Sequence, residues 1–296
     1  MIVFFTLGGS PLHRFFRDFQ IPVMANAYYD SDIRAVSEFG GRVWVDSGGY
    51  QAMVKGEVLP LPQILSAYRR VKAEAYISPD VPPLPSDPPE VAEWKMRLSY
   101  LRYVEVSREM DVVPVIHVYH NLRLTWRYAK MYLDLSPPRL AVGGAVPYLF
   151  SRAKGRRRVL RFIEELRSMY KGWIHVLGAG APTVIAELAR LGVDSTDSAT
   201  WRLKAAYGKV VIPCGGERHV TQRQKRFGGK TASREELEEL YRFLKATGFP
   251  ALDGFYERIK TSFKYRALVN AWVIQHQDKC QGEAWEKYYR KRKQHY

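Results

Sequence analysis

The sequence is poor in cysteine and has no long apolar segment. Only two of its 296 residues are cysteines, Cys214 and Cys280, which excludes a disulfide framework and a zinc site built from three or four thiolates. No apolar run reaches the roughly 18 residues that a transmembrane helix needs. The apolar start, MIVFFTLGG, lacks the basic flank of a signal peptide. We therefore expect a cytoplasmic protein without a membrane partner.

Sequence signatures of bound cofactors are also missing. No G-x-G-x-x-G follows the first predicted strand, and the chain has no P-loop. His117 and His120 have a spacing that a metal ion could use, but no third ligand is evident, and a polar residue at a strand end is the alternative for His117. We expect neither a cofactor nor a metal.

Negative charge is scarce. The chain has 30 Asp and Glu residues against 46 Lys and Arg, which gives a formal net charge of +16. Such an excess predicts a polyanionic partner, because Lys and Arg that neutralise phosphates release counterions. Solubility through net charge is the alternative. The excess gathers in residues 152–161, 202–230 and 287–293, and this clustering favours a nucleic acid.

Short apolar runs alternate with helical patterns along the chain. They predict strands near residues 2, 22, 42, 75, 113, 140, 173 and 192, with mostly helical connections, which is typical of parallel α/β proteins. We predict a (β/α)8 TIM barrel over residues 1–230. An open doubly wound sheet is the alternative.

A helical, basic C-terminal extension is predicted over residues 231–296, packed on the barrel. Before it, residues 209–212 are expected to form an extra strand and the Gly-flanked residues 214–230 a loop. Residues 253–276 are expected to form an amphipathic helical stretch.

Several polar residues and one pair of glycines stand where predicted strands end. In a TIM barrel the carboxyl ends of the strands carry the chemistry, so these residues are candidates for one site. They are Asp46, Asp80, His117, Gly143, Gly144, Asp194 and Asp197. For the pair Asp194 and Asp197 the alternative is that one carboxylate caps the next helix and the other is solvated.

Carboxylates gathered at one end of a barrel favour glycosyl transfer. One carboxylate can attack an anomeric carbon and form a covalent intermediate while a second moves the proton. Ionised carboxylates can also accept hydrogen bonds from the N–H edge of a guanine-like base, and a basic surface can hold phosphates. Two other classes stay open at this point, a glycoside hydrolase and a non-catalytic barrel that binds nucleic acid.

Two segments resemble a known family. DSGGYQ at residues 46–51 resembles the DSGGFQ signature of the tRNA-guanine transglycosylases, and LGAGAPTVIAELARLGVDSTD at residues 177–197 is similar, without a gap, to a second signature of that family. YISPD and LAVGGAV, which lie between them, resemble the family's base-binding strand ends. The resemblance implies a TIM barrel that exchanges guanine in a nucleic acid for a 7-deazaguanine.

The resemblance also implies roles for individual residues. Asp197 matches the nucleophile that attacks C1′ of the nucleoside, and Asp46 matches the general acid/base. The residues implied to bind the base are Ser47, Gly48, Asp80, His117, Gly143, Gly144, Leu177 and Gly178, and His117 stands where the family usually has Gln. Asp194 and Gln51 are implied as supporting residues. Among the basic residues downstream, we expect Arg202, Lys204, Arg223, Lys225 and Arg226 to contact the nucleic acid.

The sequence departs from the tRNA enzymes after Asp197. Ser-Ala-Thr-Trp replaces the family's C-V-x-P-T-R run, and the cysteines of its zinc subdomain are missing. A relative without that subdomain looks more like the branch that inserts 7-deazaguanines into DNA, so DNA is expected as substrate, with tRNA as the alternative. The other expected partners are the free 7-deazaguanine base and an ATPase- or helicase-type protein. The oligomeric state stays open.

Overall fold

The computed structural model describes residues 1–8, 12–37, 39–150, 153–221 and 229–277. Contacts divide the chain into two compact units. The barrel unit comprises residues 1–180 and 184–198, and the C-terminal unit comprises residues 181–183 and the chain from Ala199 onward. None of the helices within the described residues combines the length and apolar character that crossing a membrane requires.

The barrel unit alternates strands and helices, as the sequence predicts. Its strands are β1 Ile2–Thr6, β2 Val23–Asn26, β3 Val43–Asp46, β4 Ala75–Ile77, β5 Val112–Val113, β6 Val115–His117, β7 Arg139–Gly143, β8 Trp173–Val176 and β9 Ser195–Ser198. The helices that follow the strands are α1 His13–Asp18, α2 Asp30–Val36, α3 Gly49–Val54, α4 Leu61–Arg69, α5 Pro89–Val106, α6 Leu122–Asp134, α7 Val146–Leu149, α8 Ala153–Met169 and α9 Pro182–Arg190. The sequence pattern does not predict the short helices α2, α3 and α7.

The strands form a parallel barrel. The order in the sheet is β5-β4-β3-β2-β1-β9-β8-β7-β6. The two outermost strands, β5 and β6, are separated in sequence only by Pro114, which has no N–H to give to a ladder. One interrupted strand thus pairs with β4 through β5 and with β7 through β6, and the nine elements occupy eight strand positions. The predicted (β/α)8 barrel is confirmed.

Large apolar side chains fill the inside of the barrel. Because side chains alternate along a strand, every second residue points inward. The buried cluster consists of Phe4, Met24, Trp44, Ala75, Ile77, Val113, Val115 and Ala141. The ring centroids of Phe4 and Trp44 lie 5.0 Å apart. The interior is therefore a packed core, and it supports the strand ends where the predicted site residues lie.

The C-terminal unit is mainly helical. Its elements are α10 Thr200–Ala206, β10 Lys209–Val211, β11 Glu217–His219, α11 Arg234–Ala246, α12 Phe255–Thr261 and α13 Phe263–Gln275. β10 and β11 pair as an antiparallel ribbon. The buried amide of Asn270 accepts a hydrogen bond from the Val211 amide and donates to the carbonyls of Trp201 and Lys209. A helical C-terminal region is thus confirmed.

Two predictions for this region are wrong. Residues 214–230 are not only loop, because β11 pairs with the predicted strand β10. Residues 253–276 are not one amphipathic stretch, because the extended backbone at Ser262 separates α12 from α13 and nine residues of α13 are buried. Separately, the contact division falls after Ser198, so the described residues 199–221, predicted within the barrel, group by contacts with the C-terminal unit.

Candidate active site

Parallel strands bring the predicted residues to one end of the barrel. Asp46, His117 and Gly143 are the last residues of β3, β6 and β7. Asp80 follows β4 by three residues, and Asp197 lies near the end of β9. Because all the strands run in the same direction, these positions share the carboxyl end, where TIM barrels hold their chemistry.

Asp46 is held by a polar residue from the neighbouring strand. Nδ2 of Asn26 donates to Oδ2 of Asp46 at 2.8 Å and to Oε1 of Gln51 at 2.9 Å. The register explains this contact, since Asn26 and Asp46 are direct partners in the β2–β3 ladder. Gln51 therefore does lie beside Asp46. Asn26 is a site residue that the sequence analysis missed, although it ends β2 just as Asp46 ends β3.

The environment of Asp46 favours its neutral form. Burial raises the pKa of Asp46 to about 8, and the nearby carboxylates of Asp80 and Asp197 contribute to the rise. Hydrogen bonds from the amides of Gly48 and Ser47 oppose it and are outweighed. At neutral pH the group therefore carries a proton that it can give away, which is the requirement for a general acid.

The two glycines after Asp46 allow the chain to pack against Asp80. Gly48 has a φ of +84°, and a Cβ there would lie 2.7 Å from Cβ of Tyr28. A Cβ on Gly49 would lie 2.5 Å from Oδ1 of Asp80. Side chains at either position would thus be excluded. The close approach lets the hydroxyl of Ser47 donate to Oδ1 of Asp80 at 2.6 Å.

Asp80 and His117 form the next part of the site. Nε2 of His117 lies 3.2 Å from Oδ2 of Asp80, an ion-pair distance, yet among the described residues neither ring nitrogen makes a well-aligned hydrogen bond. The two side chains are therefore in contact without a well-directed hydrogen bond. His117 is 3% exposed, so its ring nitrogens are buried polar atoms next to a carboxylate. Such atoms need a partner, which a bound ligand can provide.

Asp197 is fixed through one of its two oxygens. Oδ1 accepts a hydrogen bond from the amide of Gly178 at 2.6 Å and lies 3.4 Å from Nε2 of His175. Gly178 has a φ of +70°, a conformation that directs its amide to the carboxylate and favours glycine. Oδ2 accepts no hydrogen bond from the described residues. Asp197 therefore has one immobilised oxygen and one open oxygen in a residue that is 7% exposed.

Buried polar side chains form a connected set next to Asp197, and this set was not predicted from the sequence. Nδ1 of His175 and Oγ of Ser195 are 2.8 Å apart, and Nε1 of Trp173 donates to the same oxygen at 2.8 Å. The His175 ring packs against Trp44, with ring centroids 4.8 Å apart. The two strand sequences, WIHV and STDS, contain the signal. Trp173 and His175 are two residues apart and so lie on one face of their strand, and the same holds for Ser195 and Asp197.

Asp194 is not part of this cluster. It precedes β9 instead of ending it, and so lies at the opposite end of the strand from the site. Its Oδ2 accepts hydrogen bonds from the Ile174 amide at 2.8 Å and from Nη1 of Arg167 at 3.1 Å. The prediction that Asp194 sits at a carboxyl strand end is wrong, because the strand begins at Ser195.

The remaining predicted base-binding residues are all in the barrel unit. Leu177 and Gly178 directly follow β8, and Gly143 and Gly144 end and follow β7. A Cβ on Gly143 would lie 3.0 Å from Nδ1 of His117, so the two strand ends are in close contact.

The predicted nucleic-acid contacts lie in the C-terminal unit or outside the described residues. Arg202 and Lys204 belong to α10, and Nζ of Lys204 pairs with Glu217 at 2.9 Å. Arg223, Lys225 and Arg226 lie outside the described residues, as does the basic segment 287–293. Their role in binding stays a prediction.

Comparisons with known proteins point to one superfamily. No family model matches the chain. "Uncharacterized protein 306" of Sulfolobus islandicus rod-shaped virus 1 is 26% identical over 259 residues, which cover 86% of this chain and 76% of the viral protein. A tRNA-guanine(15) transglycosylase of Pyrococcus abyssi is 29% identical over 189 residues, covering 61% of this chain and 31% of that protein. The corresponding protein of Thermococcus onnurineus is 26% identical over 216 residues, covering 69% and 36%.

The chain spans about a third of the length of these archaeal proteins. The likeness is distant and partial, yet it supports the transglycosylase superfamily and a glycosyl-transferring enzyme.

Proposed function

We propose that this protein exchanges a guanine in a nucleic acid for a free 7-deazaguanine base. The observation that carries the proposal is the pairing of two unlike carboxyl groups. Asp197 has one immobilised and one open oxygen, and Asp46 has a pKa raised to about 8. A nucleophile next to a protonated acid is the arrangement that displacement at an anomeric carbon requires. The names of the archaeal relatives agree with this chemistry.

The first step breaks the bond between guanine and the sugar. Oδ2 of Asp197 attacks C1′ and forms a C1′–O bond, while the C1′–N9 bond breaks and its electron pair leaves with guanine. Asp46 donates its proton to a ring nitrogen of the leaving base, which compensates the charge that develops there. The product is a glycosyl ester on Asp197.

The second step runs the same events in reverse. The ionised carboxylate of Asp46 removes the N9 proton of the incoming base, and N9 forms a new bond to C1′. The C1′–Oδ2 bond breaks, and its electrons return to Asp197. Asp46 is protonated again, so both carboxyl groups are ready for another cycle.

Asp80 and His117 are proposed to recognise the base. Oxygens of an ionised carboxylate accept hydrogen bonds only, so Asp80 suits the N–H edge of a guanine-like base. Ser47 donates to Oδ1 of Asp80, and Nε2 of His117 lies 3.2 Å from its Oδ2. The Gly143-Gly144 backbone next to His117 completes this side of the site without side chains. Discrimination against adenine, which has no N1–H, follows from this arrangement.

Two nucleic acids are candidates for the substrate. The names of the archaeal relatives favour tRNA. The run Ser-Ala-Thr-Trp after Asp197, which differs from the tRNA enzymes, favours DNA. In a duplex the enzyme has to flip the target base or act on a single strand, and for DNA an ATPase- or helicase-type partner could provide that strand. Both substrates therefore enter the same experiment.

The test is incorporation of radiolabelled guanine and of a labelled 7-deazaguanine into purified tRNA, duplex DNA and single-stranded DNA. Asp197→Asn is expected to lower exchange at least roughly a thousandfold, because the nucleophile is lost, and to keep nucleic-acid binding. Asp111→Asn is the matched control, since this side chain is 74% exposed and precedes β5, at the end of the strand opposite the site.

The outcomes separate the candidates. Incorporation into one nucleic acid by the unsubstituted protein, lost in Asp197→Asn and retained in Asp111→Asn, supports the proposal and identifies the substrate. Retained exchange in Asp197→Asn refutes the assigned nucleophile. Release of guanine without uptake of label indicates a hydrolase, and the absence of both reactions on all three substrates refutes base exchange.

A further inference from the structure

We infer that His175, held in one tautomer by Ser195 and Trp173, is a positioning residue for Asp197. The inference rests on the proposed function, because it concerns the proposed nucleophile. His175 does not touch the substrate. It donates from Nε2 to Oδ1 of Asp197 and so keeps Oδ2 turned toward the reacting carbon.

Burial limits the hydrogen-bond partners that are available to the His175 ring. The residue is 0% exposed, and its ring lies among the apolar core, with centroid distances of 4.8 Å to Trp44 and 6.1 Å to Phe4. Two polar groups border it, Ser195 at Nδ1 and Asp197 at Nε2. A buried ring nitrogen without a partner is unfavourable, so both contacts constrain the ring.

Hydrogen-bond chemistry decides the tautomer. The indole N–H of Trp173 can only donate, so Oγ of Ser195 accepts from it at 2.8 Å. The single hydroxyl hydrogen of Ser195 then has Nδ1 of His175, 2.8 Å away, as its acceptor among the described residues. Nδ1 is therefore unprotonated, and the ring hydrogen is on Nε2. The other tautomer would leave the hydroxyl hydrogen without an acceptor and aim a nitrogen lone pair at the carboxylate.

The Nε2 donor of His175 and a backbone amide share one acceptor, which is Oδ1 of Asp197. Oδ1 of Asp197 receives the Gly178 amide at 2.6 Å and the His175 Nε2 donor at 3.4 Å. The second contact is long for a hydrogen bond, which suits a group that restricts rotation of the carboxylate. Once the glycosyl ester forms, Oδ1 is its carbonyl oxygen. Both donors then stabilise the carboxylate that leaves in the second step.

The first experiment determines the tautomer of His175 and does not depend on enzymatic activity. Two-bond proton–nitrogen correlation spectra of histidine-labelled protein distinguish the tautomers, and the spectrum of His175→Gln assigns the signal. The expected result is an Nε2-protonated ring in the unsubstituted protein. Ser195→Ala and Trp173→Phe, which remove one link each, are expected to shift the ring toward a mixture. An Nδ1-protonated ring in the unsubstituted protein overturns the inference.

The second experiment measures base exchange. His175→Leu removes the donor at similar volume and is expected to lower kcat roughly ten- to a hundredfold with KM nearly unchanged, because a hydrogen bond to a charged group is lost. His175→Gln keeps an N–H donor near the same place and is expected to recover most of this loss. Equal losses in Leu and Gln overturn the positioning role. An inactive unsubstituted protein refutes the proposed function and leaves the spectroscopic result standing.

Discussion

The raised pKa of Asp46 can be tested through stability, because proton binding by this group makes the free energy of unfolding depend on pH. Its pKa is raised to about 8 from an ordinary value of 3.8. The folded protein therefore binds a proton between these values that the unfolded chain releases. Stability from this group is fully present below about pH 4, is lost progressively as the pH rises, and is gone above about pH 8. Asp46→Asn removes this titration with little change of shape.

The size of the stability change follows from the difference between the folded and unfolded pKa values of Asp46. A difference of about four pKa units corresponds to about 6 kcal/mol at 1.36 kcal/mol per unit. The Asp46 side chain is partly accessible at the end of the barrel, and solvent screening reduces the value. We therefore expect the unsubstituted protein to lose about 2–4 kcal/mol relative to Asp46→Asn between pH 5 and pH 9.

The assay is urea unfolding of both proteins at several pH values, with Asp111→Asn as an exposed control. The free energy of unfolding of Asp46→Asn is expected to fall less steeply with pH than that of the unsubstituted protein, so the two curves diverge toward pH 9. Asp111→Asn should follow the unsubstituted protein. Parallel curves for Asp46→Asn and the unsubstituted protein would refute the reasoning, because Asp46 would then be an ordinary ionised carboxylate.

Three further predictions concern contacts in the barrel and the C-terminal unit. Gly49→Ala places a methyl 2.5 Å from Oδ1 of Asp80, so we expect a lower melting temperature and a higher KM for the base. Asp194→Ala removes the carboxylate partner of Arg167 and of the Ile174 amide; it should cost about 1–3 kcal/mol in urea unfolding with kcat unchanged, and lost activity at full stability would contradict this. Asn270→Ala leaves the Val211 amide unpaired and should cost about 3 kcal/mol.

The barrel could be predicted from the sequence because its strands are short apolar runs. Strands of a parallel sheet are buried on both faces and therefore read as continuous apolar segments, as VWV before Asp46 and LAV before Gly143 do. The ends of such runs are recognisable, so the positions of Asp46, Asp80 and His117 could be predicted. The end of the barrel that each residue occupies follows once the strands are known to be parallel.

β9 could not be delimited in this way. Its four residues, STDS, are polar and are all buried, so no change in hydropathy marks where it begins. The pairing of Ile2 with Ser195 in the β1–β9 ladder sets the limit, and that pairing is a tertiary contact. Asp194 therefore looked like a site residue in the sequence and is a structural one in the fold.

The polar strand is stable because each side chain finds a partner. Oγ1 of Thr196 donates to the Val176 carbonyl at 2.6 Å, and Oγ of Ser198 donates to the Gly180 carbonyl at 2.9 Å. On the opposite face Ser195 and Asp197 bond to His175. Buried polar side chains that each have a hydrogen-bond partner specify one arrangement more strictly than apolar packing does.

The surroundings of Asp46 and Asp197 differ in a way that suits their two proposed roles. A glycine with positive φ presents an amide to each, Gly48 to Asp46 at 3.3 Å and Gly178 to Asp197 at 2.6 Å. At Asp46 the amide contact is long and burial outweighs it, so the group keeps its proton. At Asp197 the short amide contact is joined by His175, and one oxygen remains open. The proposed division into acid and nucleophile agrees with the burial of Asp46 and with the two donors at Oδ1 of Asp197.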